Sequence, residues 1–205
     1  AYNLKVLSGG NISGATTLNN TGTTTLGDQT KDVLTFAGGL TATSRSLLNL
    51  AGTIATTNNI MTLGNSVLTT STALQSGSGI ITTGSVTGGA GIKLSLQNIT
   101  ATGAVNLTGN VTVNQLETFG GTYAVNLTGS NNQVSSGTAT TFLNTGGITF
   151  GDSTTDVSTF TNGLTATASA VSLSGTVGTT NSNMTLGAVT LSQNGTVKSG
   201  SGSIT

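Results

Sequence analysis

The sequence predicts an all-β fold, a parallel β-helix (β-solenoid) built from coils of roughly 20 residues. Three observations predict it. Residues 1–82 recur with substitutions at 124–205, a shorter echo lies inside that repeat, and Gly, Ser, Thr and Asn punctuate short apolar segments throughout. Repeats that cannot bury their apolar faces alone do so by stacking. The same short strands leave open an alternative, a series of tandem β-sandwich-like repeats.

The long repeat is clearest in two pairs of segments. LGDQTKDVLTFAGGLTATS from Leu26 matches FGDSTTDVSTFTNGLTATA from Phe150, and GTIATTNNIMTLG from Gly52 matches GTVGTTNSNMTLG from Gly175. We divide the chain into a first repeat unit, 1–123, of about six coils, and a partial second unit, 124–205, that matches 1–82. We expect this to be a window from a longer array, whose native sequence continues with a segment like TGSVTGGAGIKLSLQNIT.

The short echo sets the size of one coil. AVNLTG occurs at Ala104 and again at Ala124, and AVSLSG at Ala170 is a third variant. Two or three short strands with their turns fill about 20 residues, so the chain should hold about ten coils. With strands ~4.8 Å apart, ten coils make a rod of roughly 45–50 Å.

Composition excludes most other folds. Only 5% of the residues are charged, and there is no Pro, Cys or His. Residues that favour helices are scarce. The lack of Pro suits strands that are paired on both edges. Stacked Thr and Asn side chains should form ladders along the rod. The predicted strands, which alternate apolar with small polar residues, are 23–26, 33–36, 48–50, 60–63, 79–82, 92–96, 104–107, 111–113, 124–127, 148–150, 157–160, 170–173, 184–186 and 189–191.

The sharpest local motif is GDxTxDVxTF, which occurs in both units. It places Asp28 and Asp32 four residues apart in the first unit, and Asp152 and Asp156 in the second. Paired carboxylates with hydroxyl oxygens between them could bind calcium, although calcium takes six to eight oxygens and each loop has two carboxylates. The structural interpretation is a turn in which Asp28 and Asp152 accept backbone hydrogen bonds while Asp32 and Asp156 face water. We predict the turn, and keep all four aspartates as calcium candidates.

Catalytic chemistry has little basis in this chain. We expect it not to be an enzyme, and we expect no cofactor other than the candidate calcium. A serine or cysteine nucleophile would need a histidine base, and none exists. Glu117 is the only Glu, and the charges are too few for the clustered Asp/Glu or Lys/Arg that polysaccharide hydrolases and lyases need around a cleft. The Gly-rich stretch 84–91 lacks the lysine of a phosphate loop and is predicted to be a turn or bulge. The four phenylalanines that we expect in the core, or stacked on sugars, are Phe36, Phe142, Phe150 and Phe160.

The LTATSRSLLNLAG segment from Leu40 with its copy LTATASAVSLSG from Leu164, the AVNLTGNVTVN pattern and the GDxTxDVxTF repeat resemble the β-strand-repeat regions of large bacterial exoproteins, the filamentous-haemagglutinin-like and autotransporter-type adhesins. The resemblance covers the whole chain and rests on repeat style. It implies a secreted, right-handed parallel β-helix shaft that projects from a bacterial cell surface to adhere, aggregate cells or build biofilm.

Three hypotheses of function follow. The first is a structural shaft segment of such an adhesin or of an extracellular filament. The second is a self-assembling subunit of a filament, sheath or surface layer, joined by β-strand pairing. The third is a module that binds host or cell-surface carbohydrate through the Phe and Asp positions. Zero net charge and the lack of 18 consecutive apolar residues argue against nucleic-acid partners and membrane insertion.

Overall fold

The structure, a computed structural model, describes residues 1–43 and 47–205. In this part of the chain there are strands and turns and no helix, so no helix could cross a membrane. The strands are β1 (Leu4–Val6), β2 (Gly10–Ile12), β3 (Thr16–Thr17), β4 (Thr24–Leu26), β5 (Val33–Phe36), β6 (Leu40–Ala42), β7 (Leu48–Thr56), β8 (Met61–Leu63), β9 (Ser66–Gln75), β10 (Ile81–Thr83), β11 (Val86–Gly88), β12 (Lys93–Leu96), β13 (Val105–Leu107), β14 (Val111–Val113), β15 (Gln115–Thr118), β16 (Val125–Leu127), β17 (Asn131–Val134), β18 (Thr140–Thr141), β19 (Ile148–Phe150), β20 (Val157–Phe160), β21 (Leu164–Ala166), β22 (Val171–Thr179), β23 (Met184–Leu186) and β24 (Val189–Lys198).

The strands stack in parallel into three faces of a solenoid with about nine turns. The first face holds β1, β4, the starts of β7 and β9, β11, β14, β17, β20 and the ends of β22 and β24. The second holds β2, β5, the ends of β7 and β9, β12 and β15, and then β18, β21 and β23. The third holds β3, β6, β8, β10, β13, β16, β19 and the starts of β22 and β24.

The predicted parallel β-helix is therefore confirmed, and the sandwich alternative is wrong. Coil length varies with the size of the turns. Leu4 pairs with Thr24 twenty residues on, whereas the interval is eighteen at Leu48 and twenty-six at Asn131. Every predicted strand overlaps an observed one. The prediction for 84–91 is wrong in part, because β11 lies inside it and pairs on both sides.

A single apolar core runs along the axis of the rod. In most strands alternate residues point inward and are buried, and the buried set is dominated by Leu, Val, Ile and Phe. Many outward residues are small and polar, and some of them stack along the axis. Asn126 on β16 donates its Nδ2 hydrogen to Asn106 Oδ1 on β13 at 2.8 Å, a rung of the predicted Asn ladder.

The long repeat does not contain a whole number of turns. Leu4 begins β1, the first-face strand of the first turn. Its equivalent, Leu127, ends β16, the third-face strand of the sixth turn. Counted along the faces, the unit advances five full turns and two-thirds of another. The estimate of about six coils was close, but equivalent residues lie on different faces of the rod.

Candidate functional site

The two aspartate loops occupy two different corners of the solenoid. The first, 27–32, joins β4 on the first face to β5 on the second. The second, 151–156, joins β19 on the third face to β20 on the first. Five and two-thirds turns separate the loops, which at ~4.8 Å per turn is roughly 27 Å along the axis. The structure therefore keeps the four aspartates as two separate pairs.

Within each loop, the second aspartate makes the turn. Asp32 Oδ2 accepts hydrogen bonds from the amides of Asp28 and Gln29, both at 2.9 Å, and the Asp32 side chain is buried. Asp156 Oδ2 accepts the same two bonds, from Asp152 and Ser153, again at 2.9 Å.

The roles predicted for the four aspartates are therefore reversed. Asp28 and Asp152 are exposed, whereas Asp32 and Asp156 are buried and hold the backbone. The physical reason is the direction in which each carboxylate points. A carboxylate that follows the bend can reach back to two amide hydrogens that point into the loop, and a charged acceptor makes these bonds strong.

Glycines allow each loop to sit against the next coil. Gly27 has a φ of 73°, and a Cβ there would lie 2.3 Å from Ala51 O. Gly52 in the next coil has a φ of 71°, and its Cβ would lie 2.3 Å from Asp32 O. The amide of Thr53 then donates to Asp32 O at 2.7 Å. The bend and the contact between coils therefore depend on each other, and only glycine at both Gly27 and Gly52 permits them.

The carboxyl groups of the first loop have opposite pKa shifts. The hydrogen bond with the Asp32 side chain, then desolvation and the negative charge of Asp32, raise the pKa of Asp28. The amides of Asp28 and then of Gln29 lower the pKa of Asp32. Asp32 therefore holds the negative charge of the pair, and Asp28 takes up the first proton on acidification.

The donors in these loops fall short of a calcium site. One oxygen of Asp32 already accepts two amide hydrogens, and calcium takes six to eight oxygens. Among the residues that the structure describes, no three His, Cys, Asp or Glu side chains group together. Calcium at these loops stays a prediction that only a binding measurement can decide.

A second charged group lies on the second face, where sequence reasoning missed it. Lys93 Nζ and Glu117 Oε1 are 3.2 Å apart, and Ser95 Oγ donates to Glu117 Oε2 at 3.0 Å. The register of β12 on β15, with Ser95 opposite Glu117, brings them together. The signal in the sequence was two opposite charges about one coil apart.

The four phenylalanines that the sequence analysis places in the core lie there. Phe36, Phe142, Phe150 and Phe160 are at most 1% exposed, so none offers a ring to a sugar. Phe142, Phe150 and Phe160 come from three different faces and pack edge to face, with ring centroids 5.5 to 5.9 Å apart. The core interpretation is confirmed, and the Phe part of the carbohydrate hypothesis is wrong.

Most polar groups identified by the sequence thus support the coil rather than face a ligand. The buried turn aspartates and the stacked asparagines bind neighbouring backbone or one another. Comparisons with protein-family models, curated proteins and solved structures find no match to this chain.

Proposed function

We propose that this chain is a structural shaft segment of a secreted, repetitive bacterial surface adhesin or extracellular filament, without catalysis. The observation that supports it best is the continuous stack of about nine parallel turns over one apolar core. Such a stack is a stiff spacer, because bending or stretching it would break strand pairing on all three faces at once. The resemblance in repeat style to bacterial exoproteins supports the cellular location.

The surface of the rod suits this role. With 5% charged residues, it presents mainly Thr, Ser and Asn, which form weak contacts that matter only in number. Because the repeat advances by a fraction of a turn, equivalent surface features appear on different faces. A shaft with this geometry presents the same groups in more than one direction.

Stretching single molecules between their two termini tests the mechanical part of the proposal. A shaft should resist extension and then release one coil at a time, about 20 residues or roughly 65–70 Å of chain per step. The same molecules in denaturant are the control. Extension without force peaks, indistinguishable from that of the denatured chain, would contradict a mechanical role.

Location is tested separately. An antibody raised against this chain should label intact cells that produce it. Labelling that requires permeabilised cells would contradict secretion and surface display, whatever the mechanical result.

The near-zero charge of the chain supports the second candidate, a self-assembling subunit joined by β-strand pairing. Strand edges that lack charge are prone to pair with other chains. Sedimentation at increasing protein concentration distinguishes the two roles, since a subunit should form oligomers and a shaft segment should stay monomeric.

A further inference from the structure

An open cavity lies on the second face of the rod, beside the first aspartate loop, whose Thr30 contributes to its wall. Its volume is about 390 Å³, which is within the usual range for sites that bind small molecules. Lys93 and Glu117 also line it, and they form the only ion pair among the residues that the structure describes. Because only 5% of the chain is charged, a paired cation and anion at one cavity distinguish this place from the rest of the surface.

Small residues on neighbouring strands form the floor of the cavity. The register places Thr53 of β7 opposite Ala73 of β9, and Ala73 opposite Ser95 of β12. Gly52 lies beside this column without a side chain, and Glu117 of β15 follows Ser95 within it. A large outward side chain at any of the floor positions would fill the space. The stacking of the coils therefore creates the cavity from residues that are far apart in the sequence.

The charged groups at the edge of the floor hold each other in place and keep unused hydrogen-bonding capacity. Lys93 Nζ donates to Glu117 Oε1 at 3.2 Å, and Ser95 Oγ donates to Glu117 Oε2 at 3.0 Å. An ammonium group has three donors and a carboxylate has about four acceptor positions, so each group has some to spare. Both charged side chains are 34% exposed, which leaves these positions accessible to a ligand.

The ion pair determines the charge of the ligand that fits. An anion bound to Lys93 would be repelled by Glu117, and a cation bound to Glu117 would be repelled by Lys93. A hydroxyl group avoids both penalties, because it can accept from the ammonium and donate to the carboxylate while the ion pair stays intact. The hydroxyl group of Thr53 and the amide of Asn98 provide further polar contacts in the wall. A neutral ligand with several hydroxyl groups matches this lining.

We propose that this cavity binds a neutral saccharide, through the Lys93–Glu117 pair at its edge and the hydroxyl groups of its floor. The site shares no residue with the Phe and Asp positions of the carbohydrate hypothesis, and it uses hydrogen bonds where that hypothesis relied on rings. It adds ligand binding to the rod, and it depends neither on the mechanical role nor on secretion.

Titration of the isotope-labelled full chain with neutral saccharides, followed by nuclear magnetic resonance, tests the proposal. The panel consists of neutral hexoses, N-acetylhexosamines and their disaccharides. The amide signals of Gly52, Thr53, Ala73 and Ser95 should shift and saturate with at least one of them, while signals of the third face stay in place. Methyl sulfate and tetramethylammonium are the charged probes and should cause no such shifts. The absence of shifts with every neutral saccharide, or larger shifts with a charged probe, would overturn the proposal.

Substitutions in the cavity test which groups bind the saccharide. Lys93→Gln and Glu117→Gln each remove one charge of the pair, and each should weaken binding about tenfold or more, because hydrogen bonds to charged groups are the stronger ones. Ala73→Leu keeps the pair and fills the floor with an outward side chain, so binding should be lost while the coil stays folded. Lys5→Gln is the matched control, since it removes one positive charge from β1 on the first face. Binding equal to that of the parent in all three cavity variants would overturn the site.

These results are distinguishable from those for the proposed function. A chain that gives force peaks but no saccharide shifts would be a shaft that lacks this site, and the inference would fail alone. Saccharide shifts in a chain without force peaks would keep the site and contradict the mechanical role.

Discussion

Residues 1–82 and 124–205 are two versions of one sequence, folded on different faces of the same rod. The hydrogen-bond distances in their aspartate turns agree to within about 0.1 Å. Asp32 and Asp156 each accept two amide hydrogens at 2.9 Å, and the carbonyl oxygen of each accepts the amide of the next coil at 2.7 Å. Because the loop forms in the same way at two corners, its own residues and the glycine of the next coil, Gly52 or Gly175, must specify it. The two corners of the rod that hold these loops are therefore equivalent for this sequence.

The core is where the two units differ most. Leu18, Leu26 and Phe36 in the first unit correspond to Phe142, Phe150 and Phe160 in the second. The second unit thus fills one level of the rod with three interlocked rings, while its backbone keeps the same strands. The comparison teaches that turns set the path of the chain, whereas the core tolerates different packing at the same level.

The largest expected effect comes from breaking the aromatic cluster. Phe150→Ala removes a fully buried ring that contacts two others, and should cost about 4–5 kcal/mol, near the upper end for such changes. Leu26→Ala at the equivalent position should cost about 3 kcal/mol. Native-state hydrogen exchange measures both values locally, which suits a repeat protein that need not unfold in one step.

Phe150→Leu sharpens this comparison, since it gives the second unit the residue of the first. It should cost less than Phe150→Ala, because most of the volume is kept. Equal losses for the two variants would show that the edge-to-face contacts, and not the buried volume, hold this level together.

A smaller effect is expected at the glycine corners. Gly52→Ala and Gly175→Ala place a Cβ 2.3 Å from Asp32 O and Asp156 O, at φ values of 71° and 76°. The left-handed conformation alone costs about 1–2 kcal/mol, and the backbone contact adds to it. Both variants should lose stability equally, as chemical denaturation can measure.

Gly91→Ala is the matched control for the corners. Gly91 has a φ of 74° with nothing within 4 Å of its Cβ position, so it reports the conformational cost alone. A loss at Gly91 as large as at Gly52 would contradict the claim that the coil contact matters. Unequal losses at Gly52 and Gly175 would contradict the equivalence of the two corners.

The sequence predicted the fold because its signals are local and repeated. Strand alternation, turn residues and the 20-residue echo each reflect the coil, so the parallel solenoid could be predicted. The aspartate roles could not, since which carboxylate reaches the amides depends on the path of the loop in space. The contact of Lys93 with Glu117 was missed because coil length varies, and only the register of β12 on β15 aligns them.

The smallest effects are expected from the first aspartate pair, where the two residues should act in opposite directions. Asp32→Asn removes the charge that the amides of Asp28 and Gln29 stabilise, and should lower stability at neutral pH. Asp28→Asn removes a carboxylate whose ionisation the neighbouring Asp32 opposes, and should raise stability slightly. Gln29→Ala is the control, because only the backbone of Gln29 takes part in the turn.

The pH dependence of the two variants separates these roles. The lowered pKa of Asp32 gives stability that is present above the unfolded-state pKa of about 3.9 and is lost as pH falls through the folded-state value. The raised pKa of Asp28 works in the opposite sense, with a contribution that is present below about 3.9 and lost as pH rises through the folded-state value. Melting temperatures from pH 2 to pH 7, a range spanning the ~3.9 reference value, should therefore show both variants converging on the parent at low pH. If Asp28→Asn proved the more damaging variant at pH 7, the turn would depend on the exposed aspartate after all.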